Sequence, residues 1–190
     1  MTMSTPNGSR SQAGATLIEA LVSIVIMSFG LIGVAGLQLA SLTFQKSAWS
    51  THRVAELTGN FAERVRANPK AGETDYQYTS AYATGKAATL PTLGCRTSGT
   101  CTPAQIAADD IAGLLQKAQT SLPQGSMQVT GTKSGGFVIN VMYFDKDFVQ
   151  SNGAPGRSQV CSASLTGMDW RNCCPTAEDG VRCRRFSITP

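Results

Sequence analysis

The sequence predicts an α+β fold, in which a long N-terminal helix packs on a small antiparallel β-sheet whose loops are stapled by disulfides. Three observations predict it. An apolar run over residues 15–44 continues into an amphipathic helical pattern that ends at Ala67. Two strand-like runs flank the turn sequence Lys133-Ser134-Gly135-Gly136. All six cysteines lie from Cys95 onwards.

Composition limits the classes of protein to consider. The chain has 190 residues, enough for one domain or for one domain and a long helix. Its net charge of +4 is small, and acidic and basic residues are mixed along the sequence. No run of Lys and Arg alternates with aromatic residues, as in nucleic-acid-binding segments. We therefore expect no nucleic-acid partner.

The N-terminal part of the protein predicts a membrane segment. Residues 1–14 are polar, carry the single charge of Arg10 and have no periodic pattern. No charged residue occurs from Ala20 to Phe44, and about 20 apolar residues span a bilayer as a helix. The positive-inside rule keeps the basic leader in the cytoplasm and places the rest of the protein beyond the inner membrane.

One carboxylate, Glu19, lies near the start of the apolar run, in the sequence GATLIEAL. This sequence and the apolar stretch after it resemble the class III signal junction of type IV pilins and of type II secretion pseudopilins. The resemblance implies that a prepilin peptidase cuts after Gly14 and methylates the new amino terminus, Ala15. Family members often have Phe or Met at that first mature position.

Glu19 would be the fifth mature residue, and the resemblance implies that it docks one subunit on another. In the fibre it would meet the N-terminal ammonium of a neighbouring subunit. A carboxylate at membrane depth is expensive and stays charged only beside a cation. The alternative is that Glu19 lies at the membrane interface and reaches the lipid headgroups.

Glycines recur within the apolar run at positions 30, 33 and 36. Small residues at this spacing allow helices to approach closely. The resemblance implies another role, because the helix of assembled pilins loses helicity near this point. The sequence does not separate the two interpretations.

The helix is predicted to extend from Thr16 to Ala67. Apolar residues recur on one face of its second half, at Val54, Leu57, Phe61 and Val65. Polar residues occupy another face, at Arg53, Glu56, Asn60 and Arg64. The pattern ends before Pro69, because the residue that precedes a proline resists the α conformation.

A second helix is predicted after an irregular segment over residues 69–102. Thr102 can cap it and Pro103 suits its first turn. Asp109 and Asp110 are expected to be solvated helix residues rather than metal ligands, since no oxygen-rich loop surrounds them.

Three or four antiparallel strands are predicted beyond this helix. Two flank the turn at residues 133–136, and others are predicted over residues 157–163 and 184–188. The aromatic residues of this region are expected to be core or sheet-face residues; they are Phe137, Tyr143, Phe144 and Phe148.

The cysteines predict disulfides rather than a zinc site. They are Cys95, Cys101, Cys161, Cys173, Cys174 and Cys183. Cys95 and Cys101 are too widely spaced for a zinc knuckle, and His52 is the one histidine in the sequence. These two cysteines can staple a local loop. The other four can pair in three ways, although an adjacent Cys173–Cys174 bridge would be strained.

No catalytic motif is present in the sequence. Neither a phosphate-binding loop nor a recognisable nucleophile and base pair occurs, and His52 is expected at the surface. Asp145 and Asp147 flank Lys146 at a strand end and are expected to be solvated. We predict no enzyme, no catalytic residue, no metal and no cofactor.

The stretch from Gly14 to Gln38, together with RVRANP at the end of the helix, most resembles the PilV type of minor pilin. The resemblance implies a subunit that primes pilus assembly, occupies the tip and supports twitching motility and adhesion. Its partners would be the prepilin peptidase, the inner membrane, the major and other minor pilins through the helix, and, as a further candidate, a tip adhesin.

The corresponding organisation is a leader over residues 1–14, a membrane and assembly segment over 15–44, and a periplasmic head over 45–190. The protein would lie in the inner membrane before assembly and at the pilus tip afterwards. Two alternatives remain open at this point: a minor pseudopilin of type II secretion, and an uncleaved membrane-anchored periplasmic protein that binds or senses a ligand.

Overall fold

The computed structural model describes residues 16–91, 94–95 and 99–190. Their elements are α1 (Leu17–Ala67), α2 (Tyr82–Gly85), α3 (Pro103–Ser121), β1 (Ser126–Thr132), β2 (Gly136–Phe144), α4 (Gly167–Asn172) and β3 (Val181–Ile188). The protein divides into two compact units at the boundary between Ser47 and Ala48. The predicted α+β fold, a long N-terminal helix with a small antiparallel sheet and disulfides, is confirmed.

The sheet has the strand order β1-β2-β3, and both pairs are antiparallel. Near the turn between β1 and β2, the backbone of β1 requires glycine at Gly131, whose φ is +104°. A Cβ atom there would lie 2.2 Å from the carbonyl oxygen of Gly136. The antiparallel pairing of β1 with β2 shows that the hairpin predicted around residues 133–136 is present. A side chain at Gly131 would clash with the backbone of the opposite strand.

The strand predicted over residues 157–163 does not form. The segment makes one antiparallel bridge, between Arg157 and Asp179, and one parallel bridge, between Val160 and Cys174. Two bridges of opposite direction, to two different loops, cannot extend into one ladder. The strand predicted from Arg184 does form, and it begins earlier, at Val181.

Two short helices occur where the sequence predicted no helix: α2 lies in the segment predicted to be irregular, and α4 lies between the predicted strands. They have four and six residues, respectively. Helices of one or two turns do not extend far enough to show a 3.6-residue apolar pattern, so periodicity does not reveal them.

The core of the second unit forms where α1, α3 and the sheet meet. The predicted apolar face of α1 is buried, with Val54, Leu57, Phe61 and Val65 between 0 and 4% exposed. Phe61 makes edge-to-face contacts with Tyr76 and Phe137, at ring-centroid distances of 5.8 and 5.7 Å. The amphipathic pattern of α1 thus correctly predicted which helix face packs into the core of the second unit. Of the other predicted aromatic positions, Tyr143 is buried, and Phe144 and Phe148 are half-buried.

Asp109 and Asp110 are buried rather than solvated, so that expectation was wrong. Asp110 forms an ion pair with Arg64 of α1, with 2.6 Å between Nη1 and Oδ1. The Tyr76 hydroxyl donates to the other carboxylate oxygen of Asp110 at 3.1 Å. Asp109 accepts a hydrogen bond from the backbone N–H of Gly94 at 3.2 Å. The helical pattern places both acids on α3 but does not show that a cation of α1 faces one of them.

The N-terminus of α3 has the predicted cap. The Thr102 hydroxyl accepts from the Gln105 backbone N–H at 3.3 Å, and the Gln105 side chain accepts from the Thr102 N–H at 2.8 Å. Pro103 occupies the first helical position. This reciprocal arrangement is a capping box, and it satisfies two backbone donors at the helix start.

Each cysteine is paired, in the bridges Cys95–Cys101, Cys161–Cys173 and Cys174–Cys183. The adjacent residues Cys173 and Cys174 thus bond to different partners, and the choice left open by the sequence is made by the fold. The Cys174–Cys183 bridge is buried in a small second core with Tyr82, Met142 and Val181.

Candidate assembly helix and head surface

The first half of α1 exposes its apolar side chains. Ile18 is 72% exposed, Phe29 72% and Phe44 77%, and the large apolar residues between them are exposed as well. A continuous apolar surface of this extent marks a membrane or protein contact. Within the described part of the protein, α1 is the one helix long and apolar enough to cross a membrane.

Several hydroxyl groups of this apolar segment donate to backbone carbonyl oxygens of α1 itself. Ser23 donates to the Glu19 carbonyl oxygen at 2.7 Å, and Ser28 donates to the Ile24 carbonyl oxygen at 2.8 Å. Such back-bonding leaves these hydroxyls without a need for water. The segment therefore suits an environment of lipid or of packed helices, where polar groups must be satisfied internally.

Glu19 lies exposed in the first turn of α1. Its backbone N–H points to the Thr16 hydroxyl at 3.4 Å, and the Ala20 N–H donates to the Thr16 carbonyl oxygen at 3.1 Å. A carboxylate in the first turn interacts favourably with the helix dipole. Within the described ranges no ion pair involves Glu19. Gly14 and Ala15, the predicted processing residues, lie outside the described residues.

Among the described residues, no packing contact requires the three glycines of the apolar run. A Cβ atom placed on Gly30, Gly33 or Gly36 would meet nothing within 4 Å. Both interpretations of these glycines, close helix approach and local loss of helicity, concern an assembled state and stay predictions.

In the second unit, a small cleft lies between β3, α4 and the segment around residues 148–159, with a volume of about 250 Å³. We call it the arginine cleft; it is lined by Phe148, Gln159, Asp169, Asn172, Arg182 and Arg184, among others. No motif in the sequence predicts a role for these arginines. No local pattern indicates which loops pack beside the edge strand of a sheet.

Asp145, expected to be solvated, is instead mostly buried beside this cleft. Its carboxylate accepts from Arg182 Nε at 2.7 Å, and its side chain is 17% exposed. Asp147 is exposed, as is His52. Among the described residues no group of three or more His, Cys, Asp or Glu side chains is arranged to hold a metal ion.

Two family models match adjacent stretches of the sequence. The prokaryotic N-terminal methylation motif matches residues 9–35, the stretch that contains Gly14, Ala15 and Glu19. The family of type IV pilin Tt1218 matches residues 36–112, from the apolar segment of α1 into α3. No curated protein matches the sequence, and no solved structure matches it.

The methylation motif implies processing by prepilin peptidase, membrane anchoring through the apolar helix and assembly with other pilins. The pilin match continues from the point where the motif ends, and the long helix, small sheet and disulfides are consistent with the pilin fold. Over residues 9–112 the protein is thus similar to the type IV pilins, and the two matches together with the fold support a pilin or pseudopilin subunit.

Proposed function

We propose that the protein is a minor pilin of the type IV pilus, of the PilV type, that helps to initiate assembly and forms part of the pilus tip. The observation that carries the proposal is the exposed apolar half of α1 with Glu19 in its first turn, inside the methylation-motif match. The minor role rests on the resemblance of the Gly14 to Gln38 stretch and of RVRANP to that type. Twitching motility and adhesion are the activities that such a subunit supports.

The proposed mechanism is helix packing rather than chemistry. Prepilin peptidase removes residues 1–14 after Gly14 and methylates Ala15. Residues 15–44 first lie in the inner membrane and then enter the fibre, where they contact the major and other minor pilins. The Glu19 carboxylate pairs there with the N-terminal ammonium of a neighbour, because an unpaired charge in an apolar environment costs several kcal/mol.

The head, residues 45–190, is proposed to lie in the periplasm before assembly and at the cell surface afterwards. Three disulfides suit such an oxidising location. We propose no enzymatic activity, no cofactor and no nucleic-acid partner, and a tip adhesin as a candidate contact of the head.

The first test is mass analysis of the N-terminal peptide and of the intact protein, extracted from its native membrane without reductant. We expect an N-methylated Ala15 terminus and no free thiol. A terminus at Met1 would refute the proposal and favour an uncleaved membrane-anchored periplasmic protein.

The same signal is used by pseudopilins, so a deletion strain supplies the second test. Loss of twitching motility with normal protein secretion is the expected result. Loss of type II secretion with normal motility would instead assign the protein to the minor pseudopilins.

A further inference from the structure

An exposed aromatic side chain lies beside a cation at the start of the second unit. Trp49 is 45% exposed, and it follows Phe44, the last residue of the apolar run, by five positions of α1. The guanidinium of Arg53 stacks on the Trp49 ring, with 5.3 Å from its Cζ to the ring centroid. Within the described residues the indole N–H of Trp49 has no hydrogen-bond partner. Side chains with an apolar ring and one polar N–H are typical of surfaces where an apolar environment meets water.

The cations next to Trp49 outnumber the carboxylate that balances them. Glu56 accepts from Lys117 Nζ of α3 at 2.6 Å and from Arg53 Nη1 at 2.8 Å. The hydrogen bond from Lys117, and after it the one from Arg53, lowers the pKa of Glu56, so this carboxylate is charged. Two cations thus share one negative charge. We call Trp49, Arg53, Glu56 and Lys117 the Trp49 cluster; it keeps one net positive charge.

This charge is accessible and lies on the side of the apolar run. The side chains of Arg53 and Lys117 are 38 and 39% exposed. Side chains of a helix point back towards its N-terminus, and the Trp49 ring belongs to the turn that precedes Arg53. Stacking on that ring therefore holds the guanidinium on the N-terminal side of its own backbone, which is the side of Phe44 in the sequence.

The apolar run is long enough to bring the following residues to a membrane surface. From Ala20 to Phe44 the uncharged helix is roughly 37 Å long at 1.5 Å per residue, whereas a hydrocarbon core is roughly 30 Å thick. The residues after Phe44 therefore meet the headgroup region when the run spans a bilayer. Tryptophan is enriched at this depth, and long basic side chains extend towards it.

We propose that the Trp49 cluster binds the phospholipid headgroups of the periplasmic leaflet of the inner membrane before the protein is assembled. The indole lies among the headgroups, and Arg53 and Lys117 donate to phosphate oxygens. The inference rests on the proposed function, which places residues 15–44 in the inner membrane. The contact fixes the depth of α1 in the bilayer and must break before α1 enters the fibre.

The order of side chains along α1 favours lipid over a protein partner. Exposed apolar residues continue up to Phe44, the exposed tryptophan follows, and the stacked arginine comes one turn later. A bilayer changes in the same order, from hydrocarbon through the interface to phosphate. The cluster thus continues the apolar surface that the membrane covers.

The test uses the full-length protein in vesicles of phosphatidylethanolamine and phosphatidylglycerol. The protein has two tryptophans, Trp49 and Trp170. The Trp170→Phe variant leaves Trp49 as the one fluorescent indole, and Trp49→Phe leaves Trp170 as the matched control. The vesicles contain a lipid with a nitroxide either on its headgroup or at the end of its acyl chain. A nitroxide quenches an indole only at short range, so the two lipids report the depth of each tryptophan.

We expect the headgroup nitroxide to quench Trp49 roughly twofold more than the chain-end nitroxide does, and neither to quench Trp170. With Trp49 as the only tryptophan, Arg53→Glu should reduce the headgroup quenching by roughly half, because phosphate repels the new carboxylate. Arg66→Glu is the matched control, since Arg66 lies on the same helix with 54% of its side chain exposed and pairs with Glu63. If Arg53→Glu fails to fold, as shown by free thiols, the quenching of Trp49 in the Trp170→Phe variant decides the test.

Several results would overturn the inference. Trp49 that neither lipid quenches and that acrylamide reaches lies in water, and Trp49 shielded from all three quenchers lies in a protein contact. Stronger quenching by the chain-end nitroxide would place the indole in the hydrocarbon. Equal quenching of Trp49 and Trp170 would show that lipid contacts the head without preference for the cluster.

The N-terminal mass of the protein in its native membrane keeps the two proposals apart. A protein that is cut after Gly14 but whose Trp49 is not quenched in vesicles refutes the lipid contact alone. A protein that is not cut after Gly14 refutes the proposed function, whatever the quenching of Trp49.

Discussion

Glu19 is the residue whose environment must change most if the protein assembles as proposed. It is exposed in the first turn of α1, on a segment whose other side chains are mostly apolar and whose Ser23 and Ser28 hydroxyls bond to backbone carbonyls of the same helix. Once that segment enters a packed fibre, the carboxylate loses water and needs a cation to remain charged. The amino terminus of a neighbour would provide it.

We predict that Glu19→Gln reduces incorporation into pili by roughly tenfold or more, because a neutral amide cannot replace the ion pair. The measurement is the amount of the protein in sheared pili relative to the amount in the membrane. Glu63→Gln is the control, since Glu63 lies on the same helix with 76% of its side chain exposed. Equal incorporation of both variants would contradict the docking role of Glu19.

Tyr76 shows how a buried polar residue makes the stability of the head depend on pH. Burial first, and the nearby Asp110 charge second, raise the pKa of Tyr76 to about 12. The folded state thus favours the neutral phenol of Tyr76. The stabilisation that this preference gives is complete below the unfolded pKa near 10 and is lost as the pH rises towards 12.

We predict that the free energy of unfolding falls by about 2–3 kcal/mol between pH 10 and 12 through this group alone, at about 1.4 kcal/mol per pKa unit. Urea denaturation of the detergent-solubilised protein measures it. In Tyr76→Phe the fall should be smaller by that amount. An identical pH dependence of wild type and Tyr76→Phe would show that Tyr76 titrates normally.

At the scale of elements, α3 illustrates what a local signal can specify. Thr102, Pro103 and Gln105 are close in sequence, and their capping box needs no distant partner. The segment over residues 157–163 is the opposite case. It was predicted to be a strand, but it forms only single bridges to loops further along the sequence, so its structure depends on distant residues.

We predict that Thr102→Ala lowers the free energy of unfolding by about 1 kcal/mol, because it removes the acceptor for the Gln105 N–H. Thr120→Ala is the matched control in the last turn of the same helix, where the exposed hydroxyl donates to the Gln116 carbonyl oxygen. It should leave stability unchanged or slightly raised, since alanine favours helix. Equal losses for both variants would refute the importance of the cap.

At the scale of the whole molecule, the disulfides differ in what surrounds them. Cys174 and Cys183 are 0 and 1% exposed and pack in the second core, whereas Cys95 and Cys101 are half-buried. Removing the buried bridge therefore loses both the cross-link and packed sulfur atoms.

We predict that Cys174→Ser with Cys183→Ser lowers the free energy of unfolding by about 2–4 kcal/mol, and that Cys95→Ser with Cys101→Ser lowers it by less. The two bridges have similar sequence separations, 9 and 6 residues, so loop entropy alone predicts a small difference between them. Denaturation of both double variants measures the difference. A larger loss from the Cys95–Cys101 pair would show that burial does not determine the ranking.

The sequence by itself determined the features that are encoded locally. The apolar run with its single carboxylate, the buried face at Val54, Leu57, Phe61 and Val65, the cap at Thr102 and the hairpin around residues 133–136 all depend on residues within a few turns or a few strand positions of one another. Such features can be read from the sequence because the spacing of apolar residues along a helix or strand must match the face that this element buries.

Only the tertiary structure decided the contacts between distant segments. Arg64 meets Asp110 across 46 residues, and Asp145 meets Arg182 across 37. Contacts of the same kind decide which of the last four cysteines bond to each other, and they also form the arginine cleft. Proximity in space follows from the packing of the whole core, so no periodicity or spacing along the sequence shows which buried charge faces which cation.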